Sequence, residues 1–287
     1  RKTNYCNHDI YIVDYHNHPN ATMEIGRLRE LSFRNAGGGT GKSYDLDEFD
    51  TREEAFYKQL IVWDPEEKKI IGGYRFILGN DVISSSKYNN TATNNLFDFS
   101  TDFYSKTLGL TIELGRSFVQ PEYQPSSGNR KAIFSLDNLW DGLGALVVDH
   151  PEIKYFFGKV TMYLDFNKKG RDLILGFMDH FFKDKDQWIS AKQPLELHHD
   201  IGYFIEQIQE LDYKESYKIL TKKLKELNCS LPPLIAAYMN LSSSMKTFGT
   251  AMNSKFGDVE ETGILISIDD IYPEKKDRHV NTYKKVK

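Results

Sequence analysis

The sequence predicts a mixed α/β fold, a central sheet flanked by helices. Short apolar runs rich in Ile, Val, Phe and Tyr recur along the chain, bounded by Pro, Gly, Asn and Asp, as strands are. The early runs are joined by short turns, as in hairpins, while the later ones alternate with segments of helical period. Aromatic residues are plentiful, with 18 Phe and 17 Tyr, which favours strands and an aromatic core.

The 287 residues are 40% hydrophobic and 27% charged, enough for one large core or two small ones. A single domain over residues 1–287 is expected, with an insertion at about 184–230. The net charge of −4 leaves no global basic field for nucleic acid. Cys6 and Cys229 have no metal-binding spacing, and a reducing, cytoplasmic setting is the expectation. No apolar run approaches the ~18 residues of a membrane span, and no signal-peptide pattern is visible.

Tyr11–His16 reads as a short strand. Asn20 or Thr22 is placed to cap the helix that follows, Ala21–Arg34. Its Arg27, Arg29 and Arg34 cannot all be buried. Ala36–Ser43 (AGGGTGKS) fits a permissive phosphate-loop pattern. Such a loop works between a buried strand and a helix, where backbone N–H groups converge on the phosphate. Here the preceding segment is helical and the following YDLDEFD is acidic, so a mobile glycine loop is expected. Asp45, Asp47, Glu48 and Asp50 read as a solvated acidic turn. Gln59–Asp64 and Ile70–Leu78 read as a hairpin, with Arg75 inside the second run, where a charge must be paired or face a cleft. Residues 80–95 read as a polar loop, and Phe97–Tyr104 brings several aromatics.

The chain is organised around Thr111–Pro125 (TIELGRSFVQPEYQP). Strict alternation would put Glu113 and Arg116 on opposite faces of a strand. Gly115 between them is a natural place for a β-bulge, which would turn one onto the other's face. Spacing alone favours an exposed ion pair; the rest of the chain favours a general base on a bent central strand.

Phe134–Val148 and Asp172–Phe182 have helical spacing, with Phe156–Leu164 between them as a buried strand. Residues 184–213 read as irregular. Lys214–Leu227 is amphipathic, with Tyr217, Leu220, Leu224 and Leu227 on one face and Lys214, Lys218, Lys222 and Lys225 on another. Pro232-Pro233 open a short helix through Met239, and Lys246–Asn253 and Gly263–Ile268 are the last strands. His16 with His18, and His198 with His199, lack the i, i+4 spacing and third ligand of a metal site and read as surface histidines. Cys229 reads as a packed thiol. The basic tail, Lys275–Lys287, reads as unstructured or as touching anionic lipid.

The ordered set Arg29-x-x-x-Phe33, Asp47-x-x-Asp50, Arg75 at the end of GGYR, and Glu113-x-x-Arg116 resembles the acyl-homoserine lactone synthases. It resembles more closely the ornithine-lipid N-acyltransferases, often called putative hemolysins. Both belong to the Gcn5-related N-acyltransferase (GNAT) superfamily. The closer resemblance takes in ELGRSFVQPEYQ, Leu139-Trp140, FFGKVTMY and LPPLIAAYM. It implies a GNAT-like mixed sheet whose central strands splay apart around an acyl-pantetheine arm. It also implies an electrostatic cluster of Arg29, Asp47, Asp50, Arg75, Glu113 and Arg116 beside the active site, with Phe33 in the matched set. The tryptophan that the lactone synthases carry after the first Arg and Phe has no counterpart, which argues against lactone formation.

The implied reaction moves a (3-hydroxy) fatty acyl group from acyl carrier protein to the amine of a small amino acid, ornithine or glycine. No cofactor is expected beyond the thioester co-substrate. Such transfer needs a neutral amine, placement and oxyanion donors. Glu113 is the expected general base, with Arg116 beside it. Arg116, Arg75 and Arg29 either clamp the acceptor carboxylate or hold Asp47 and Asp50, and Tyr123 or Tyr163 is expected to reprotonate the thiolate. Coenzyme A users have a glycine-rich loop opening a helix after the central strand. Here Arg130 is followed by no glycine until Gly142, and Asp137 competes for the helix N-terminus. Acyl carrier protein is therefore the expected donor, docked on Lys214, Lys218, Lys222 and Lys225, with peripheral membrane contact also open. The alternatives are a hemolysin-like membrane-active protein and a nucleotide-binding protein using Ala36–Ser43.

Overall fold

A computed structural model of the chain describes residues 1–285. Strand β1 (Asp9–Val13) and helix α1 (Pro19–Asn35) open it, and a short helix α2 (Glu48–Thr51) leads to the hairpin of β2 (Lys58–Asp64) and β3 (Lys69–Leu78). After α3 (Gly79–Ser84), β4 (Phe97–Phe99) precedes the central strand β5 (Thr111–Val119). Then follow α4 (Ser135–Asp149), β6 (Tyr155–Met162), α5 (Lys168–Phe182), β7 (Ile189–Ala191), α6 (Gly202–Ile208) and α7 (Tyr213–Glu226). The chain continues through α8 (Pro233–Met239), β8 (Lys246–Asn253), β9 (Val259–Ser267) and α9 (Pro273–His279).

Seven strands form one sheet in the order β1-β2-β3-β5-β6-β9-β8, and β4 pairs with β7 apart from it. Neighbours in the large sheet are antiparallel except β5 and β6, which the α4 crossover makes parallel. Helices α4 and α5 cover one face, where Leu139, Leu143 and Phe177 pack with Tyr74, Leu114 and Ile264. Helix α1 covers the other, where Ile25, Leu28 and Phe33 pack with Ile61, Phe118 and Phe256.

The sheet opens at its centre. Parallel pairing of β5 with β6 spans only Thr111–Glu113 against Tyr155–Phe157. Gly158 stands at the point of closest approach: a Cβ there would lie 2.6 Å from the Leu114 carbonyl oxygen. Beyond it β5 follows β3 to Val119 while β6 follows β9 to Met162. The two strands diverge, and Leu114–Ser117 face Phe156–Lys159 across the gap.

The bulge sits one residue later than Gly115. Between the pairs Arg75–Gly115 and Gly73–Phe118, the two residues Arg116 and Ser117 oppose Tyr74 alone. Arg116 carries the kink, with φ of 50°, a left-handed conformation uncommon outside glycine. That turn brings Arg116 to the cavity that Glu113 also lines.

Other expectations change at their edges. Helix α1 begins at Pro19, so neither Asn20 nor Thr22 caps it; Thr22 donates instead to the His18 carbonyl at 3.1 Å inside the first turn. Residues 80–95 contain most of α3, and the stretch 184–213 contains β7 and α6. The basic tail docks on α4: His279 pairs with Asp141 at 2.9 Å, and Lys285 donates to the Asp149 carbonyl at 3.2 Å. Val286 and Lys287 lie outside the described residues. Among the described residues no helix is long and apolar enough to cross a membrane.

Gly158→Val is expected to destabilise the fold by about 1–3 kcal/mol, because the new side chain meets backbone rather than a movable side chain. Urea unfolding measures this. An unchanged midpoint would show that the strands have room there and that glycine does not set where they part.

Candidate active site

Helix α1 buries one stripe, and Arg29 lies on it among Ile25, Leu28 and Phe33. The Arg29 side chain is fully buried. Its Nε donates to Asp45 Oδ2 at 3.0 Å, and its two terminal nitrogens donate to Asp50 at 3.3 and 3.4 Å. Gln59 completes the shell, donating from Nε2 to Asp50 at 2.8 Å. Arg75, on β3, donates from Nη1 to Asp47 at 2.8 Å and to Asp50 at 3.1 Å. Arg116 donates from Nε to Asp45 Oδ2 at 2.9 Å.

The carboxylates come from one stretch because the backbone there is locally pinned. Asp47 caps α2 by accepting from Phe49 N at 3.0 Å, and Asp50 reaches back to Asp47 N at 3.1 Å, a reciprocal capping box. The Asp45 amide donates to the Gly26 carbonyl at 2.9 Å, tying the stretch to α1. The acidic turn is therefore not solvated: Asp45 and Asp50 are buried, and Glu48 alone of the four is exposed. Asp45 was missed as a site residue because the family pattern names only its neighbours, yet it bridges Arg29 to Arg116.

Burial works against the charge on Asp45, but Arg29 and Arg116 outweigh it and hold the carboxyl below the usual range. Asp47 is held down in the same way, with burial opposed by Arg75 and Arg116. Burial also opposes the charge on Arg75, and Asp47 and Asp50 raise its pKa above the ordinary value.

Glu113 stands beside this cluster rather than in it. It is 3% exposed and makes no ion pair among the described residues. One oxygen, Oε1, accepts from Tyr57 Oη at 2.6 Å, Thr93 N at 3.1 Å and Thr93 Oγ1 at 2.9 Å. The other, Oε2, is buried without a partner. Burial first, and then Glu113, push the Tyr57 hydroxyl well above its ordinary pKa, so it stays a donor. Tyr57 and Thr93 were not legible as site residues: one precedes a hairpin strand and the other lies in a Ser/Asn-rich loop.

Glu113, Arg75 and Arg116 line a cavity of about 60 Å³, together with Phe33, Lys159 and Glu261. Phe33 meets Phe256 edge to face at 5.0 Å between ring centres, and the Arg116 guanidinium lies 4.1 Å from the centre of the Phe256 ring. A wider polar opening of about 590 Å³ shares Arg75, Arg116 and Lys159 and runs between Asp45–Phe49 and Met252–Lys255. A roomier cavity of about 830 Å³ lies elsewhere, between α5, α6 and β8, and holds none of these groups.

The remaining expectations separate cleanly. Ala36–Ser43 is no phosphate loop: it follows a helix, and the amides of Thr40 and Gly41 are taken by the Glu30 carboxylate at 2.9 Å each. Tyr123 donates its hydroxyl to Asp64 at 3.1 Å and lines neither the small cavity nor the gap, and Tyr163 packs on Gly37 and Gly38. Neither is placed to meet a thiolate in the gap. Tyr74 does line the gap, with its buried hydroxyl beside Ser117 and Tyr238. Lys214, Lys218, Lys222 and Lys225 are exposed on α7, which packs against α5, and none lines the gap. His199 is paired through Nδ1 with the buried Asp172 at 2.8 Å.

Similarity to known proteins gives the family. Residues 28–132 match the family model of the acetyltransferase (GNAT) domain. The chain is 50% identical over 284 residues to a glycine N(alpha)-acyltransferase of Bacteroides thetaiotaomicron, covering 99% of this chain and 84% of that one. It is 49% identical over 286 residues to a protein of the same name from Phocaeicola vulgatus, covering 99% and 87%. Among solved structures it is similar to BjaI, a CoA-dependent acyl-homoserine lactone synthase, with TM-score 0.42 and 10% identity over 96% of this chain and 89% of that one. It is also similar to FeeM, an N-acyl amino acid synthase from uncultured soil microbes, with TM-score 0.45 and 9% identity over 96% and 98%. The class is a GNAT-fold acyltransferase. Within that class, the chain belongs to the glycine N(alpha)-acyltransferase family.

Asp45→Ala is expected to cost about 3–5 kcal/mol near neutral pH, because it takes a carboxylate partner from two arginines, leaving fully buried Arg29 with Asp50 alone. Asp45 and Asp47 have depressed folded-state pKa values, so the stability they contribute is full above the unfolded value of about 3.9 and fades as pH falls through the folded values. The cost of Asp45→Ala should therefore shrink in strong acid. Urea unfolding near neutrality and well below about pH 3.9 makes the comparison. The same cost at both would mean that Asp45 acts by packing rather than charge.

Proposed function

We propose that this enzyme transfers a fatty acyl group, including 3-hydroxyacyl, from acyl carrier protein to the α-amine of glycine, and that Glu113 is the base. The observation that carries the reading is the free, buried oxygen of Glu113 in a cavity that also receives the Arg116 guanidinium. A buried carboxylate with no paired cation is costly. The ammonium of an incoming amino acid is the cation that relieves it.

The acceptor then has a defined orientation. Its ammonium meets Glu113 Oε2, and its carboxylate meets Arg116. Arg29 is enclosed. Arg75 commits Nη1 to Asp47 and Asp50 and is 3% exposed, with its unpartnered Nε also buried. Arg116, 14% exposed, spends Nε on Asp45 and keeps its terminal donors at the more open side of the cavity for an anion. At roughly 10–15 Å³ per water, the small cavity holds about four to six waters, a volume that suits an amino acid without a side chain better than ornithine. The curated relatives bear a glycine N(alpha)-acyltransferase name, which agrees.

In the reaction, Glu113 Oε2 takes a proton from the ammonium, directly or through water. The neutral amine attacks the thioester carbonyl, the C–N bond forms, and the carbonyl oxygen becomes an oxyanion. Past Glu113 the edge of β5 has lost its partner strand, so its N–H groups are available as oxyanion donors. The C–S bond then breaks as the nitrogen sheds its second proton, which reaches the thiolate by way of the Tyr74 hydroxyl, buried beside the gap next to Ser117 and Tyr238; Glu113 returns its own proton to solvent. Burial raises the Tyr74 pKa and keeps the proton in place until then. The protein contributes no nucleophile and needs no resident cofactor.

The donor reading rests on what surrounds α4. Its first turn carries Asp137, which does not cap the helix N–H groups as expected but pairs with Arg278, leaving an acidic side chain, and no free positive charge from that arginine, where a pyrophosphate would sit. The carrier-bound arm has one phosphate and requires no such cradle. Lys214, Lys218, Lys222 and Lys225 form no ion pair among the described residues and offer an acidic carrier a docking face.

Acylation assays with matched carrier-protein and coenzyme A thioesters, and with glycine and ornithine, test this. The carrier-protein thioester with glycine should be used at least ~10-fold better than any other pair. The rate should fall with salt, since exposed charges are screened over about 8–10 Å near physiological ionic strength. Equal use of both thioesters would overturn the donor assignment, and preference for ornithine would overturn the acceptor.

A further inference from the structure

We infer that Lys159 is a second acceptor-binding residue, gripping the substrate carboxylate from the opposite side of the gap to Arg116. This rests on the amino-acid acceptor proposed above. It adds a residue that neither the matched pattern nor the spacing of charges singled out.

Position comes first. The parallel register ends at Glu113 opposite Phe157. Two residues further along each strand, Lys159 stands level with Gly115, next to the kinked Arg116. Lys159 and Arg116 are the two residues that line the small cavity, the gap and the wide opening together. They hold the two sides of the junction through which acceptor and thioester must meet.

The chemistry follows from what Lys159 lacks. Its side chain is 13% exposed, and its ammonium has one partner, Glu261 Oε2 at 2.9 Å. An ammonium carries three donors and accepts nothing. A nearly buried cation with unused donors at a cavity wall is suited to an anion, and desolvation makes that contact strong. Glu261 is itself nearly enclosed and also accepts from Asn253 Nδ2 at 3.0 Å, so the lysine is held in place from behind. Arg116 is held in the same manner by Asp45. Two braced cations on opposite strands give a carboxylate one donor for each oxygen, while the free oxygen of Glu113 receives the amine.

The test compares glycine with glycinamide, which keeps the amine and lacks the anion. Lys159→Gln can still donate to Glu261 but has no charge. The wild type should prefer glycine strongly. In Lys159→Gln the ratio of kcat/KM for glycine over glycinamide should fall by about 10–100-fold, the scale of a lost charged hydrogen bond. The loss should appear mainly in the KM for glycine, and Lys159→Arg should restore most of it. Equal loss for both acceptors would overturn the inference and place Lys159 at the oxyanion or in folding. Thermal melting of the same variants separates those two, and Lys159→Arg keeps the charge if the Gln variant is poorly folded. Should another amino acid prove the acceptor, the comparison is made with that acid and its amide. Failure of glycine as acceptor and failure of Lys159 as its anchor are thus separate results.

Discussion

A fully buried guanidinium constrains the rest of the site. Arg29 cannot release its charge at any accessible pH, and its position on α1 removes it from water. The fold must therefore bring carboxylates to it. Asp45 and Asp50 do so, but two carboxylates and the nearby Asp47 exceed one arginine. Arg75 and Arg116 restore the balance, each shared between a carboxylate and a cavity wall. The cluster thus fixes the second arginine on β3 and the third on β5, and ties both strands to α1. Rigidity of this kind keeps binding groups within the narrow tolerance that acyl transfer requires.

The second constraint is geometric. A parallel neighbour interrupted after three residues leaves unpaired backbone in the middle of a sheet, which is costly unless something uses it. Gly158 permits the close approach before the break, and the kink at Arg116 converts the strand after it into a cavity wall. In the proposed mechanism the same break supplies polar backbone for the oxyanion and the place where the thioester enters. Strain at Arg116 is held by its ion pair to Asp45, so the electrostatic cluster and the splayed strands depend on each other.

Much of this was readable from the residues. The mixed fold followed from strand-like and helical periods, and the central strand from Thr111–Val119 with its embedded charges. The prediction of a bulge near Gly115 was right in kind and one residue early, because sequence favours glycine for positive φ while the ion pair to Asp45 holds Arg116 there instead. The resemblance located Arg29, Asp47, Asp50, Arg75 and Arg116, which do form one network. It grouped Glu113 with them, whereas Tyr57 and Thr93 hold that residue apart. Asp45, Lys159 and Glu261 escaped notice because their roles depend on which strands lie side by side, and a β6 lysine flanked by apolar residues looks like any other strand charge. Tyr123 and Tyr163 were plausible by type and excluded only by placement. The glycine loop was not expected to hold phosphate, and the contact that takes up its Thr40 and Gly41 amides, the Glu30 carboxylate, is tertiary and not visible in the sequence.

The central claim is that Glu113 deprotonates the acceptor. The most direct measurement is the pH dependence of kcat/KM for acyl transfer by the wild type and by Glu113→Gln, with melting temperatures taken on the same samples. Glutamine preserves the shape and the contacts to Tyr57 and Thr93 but cannot take a proton. A loss of about 10²–10⁴-fold is expected near neutral pH, relieved as rising pH supplies neutral amine from solution. A Glu113→Gln enzyme that keeps near-full activity at neutral pH would contradict the claim and move the base to another group.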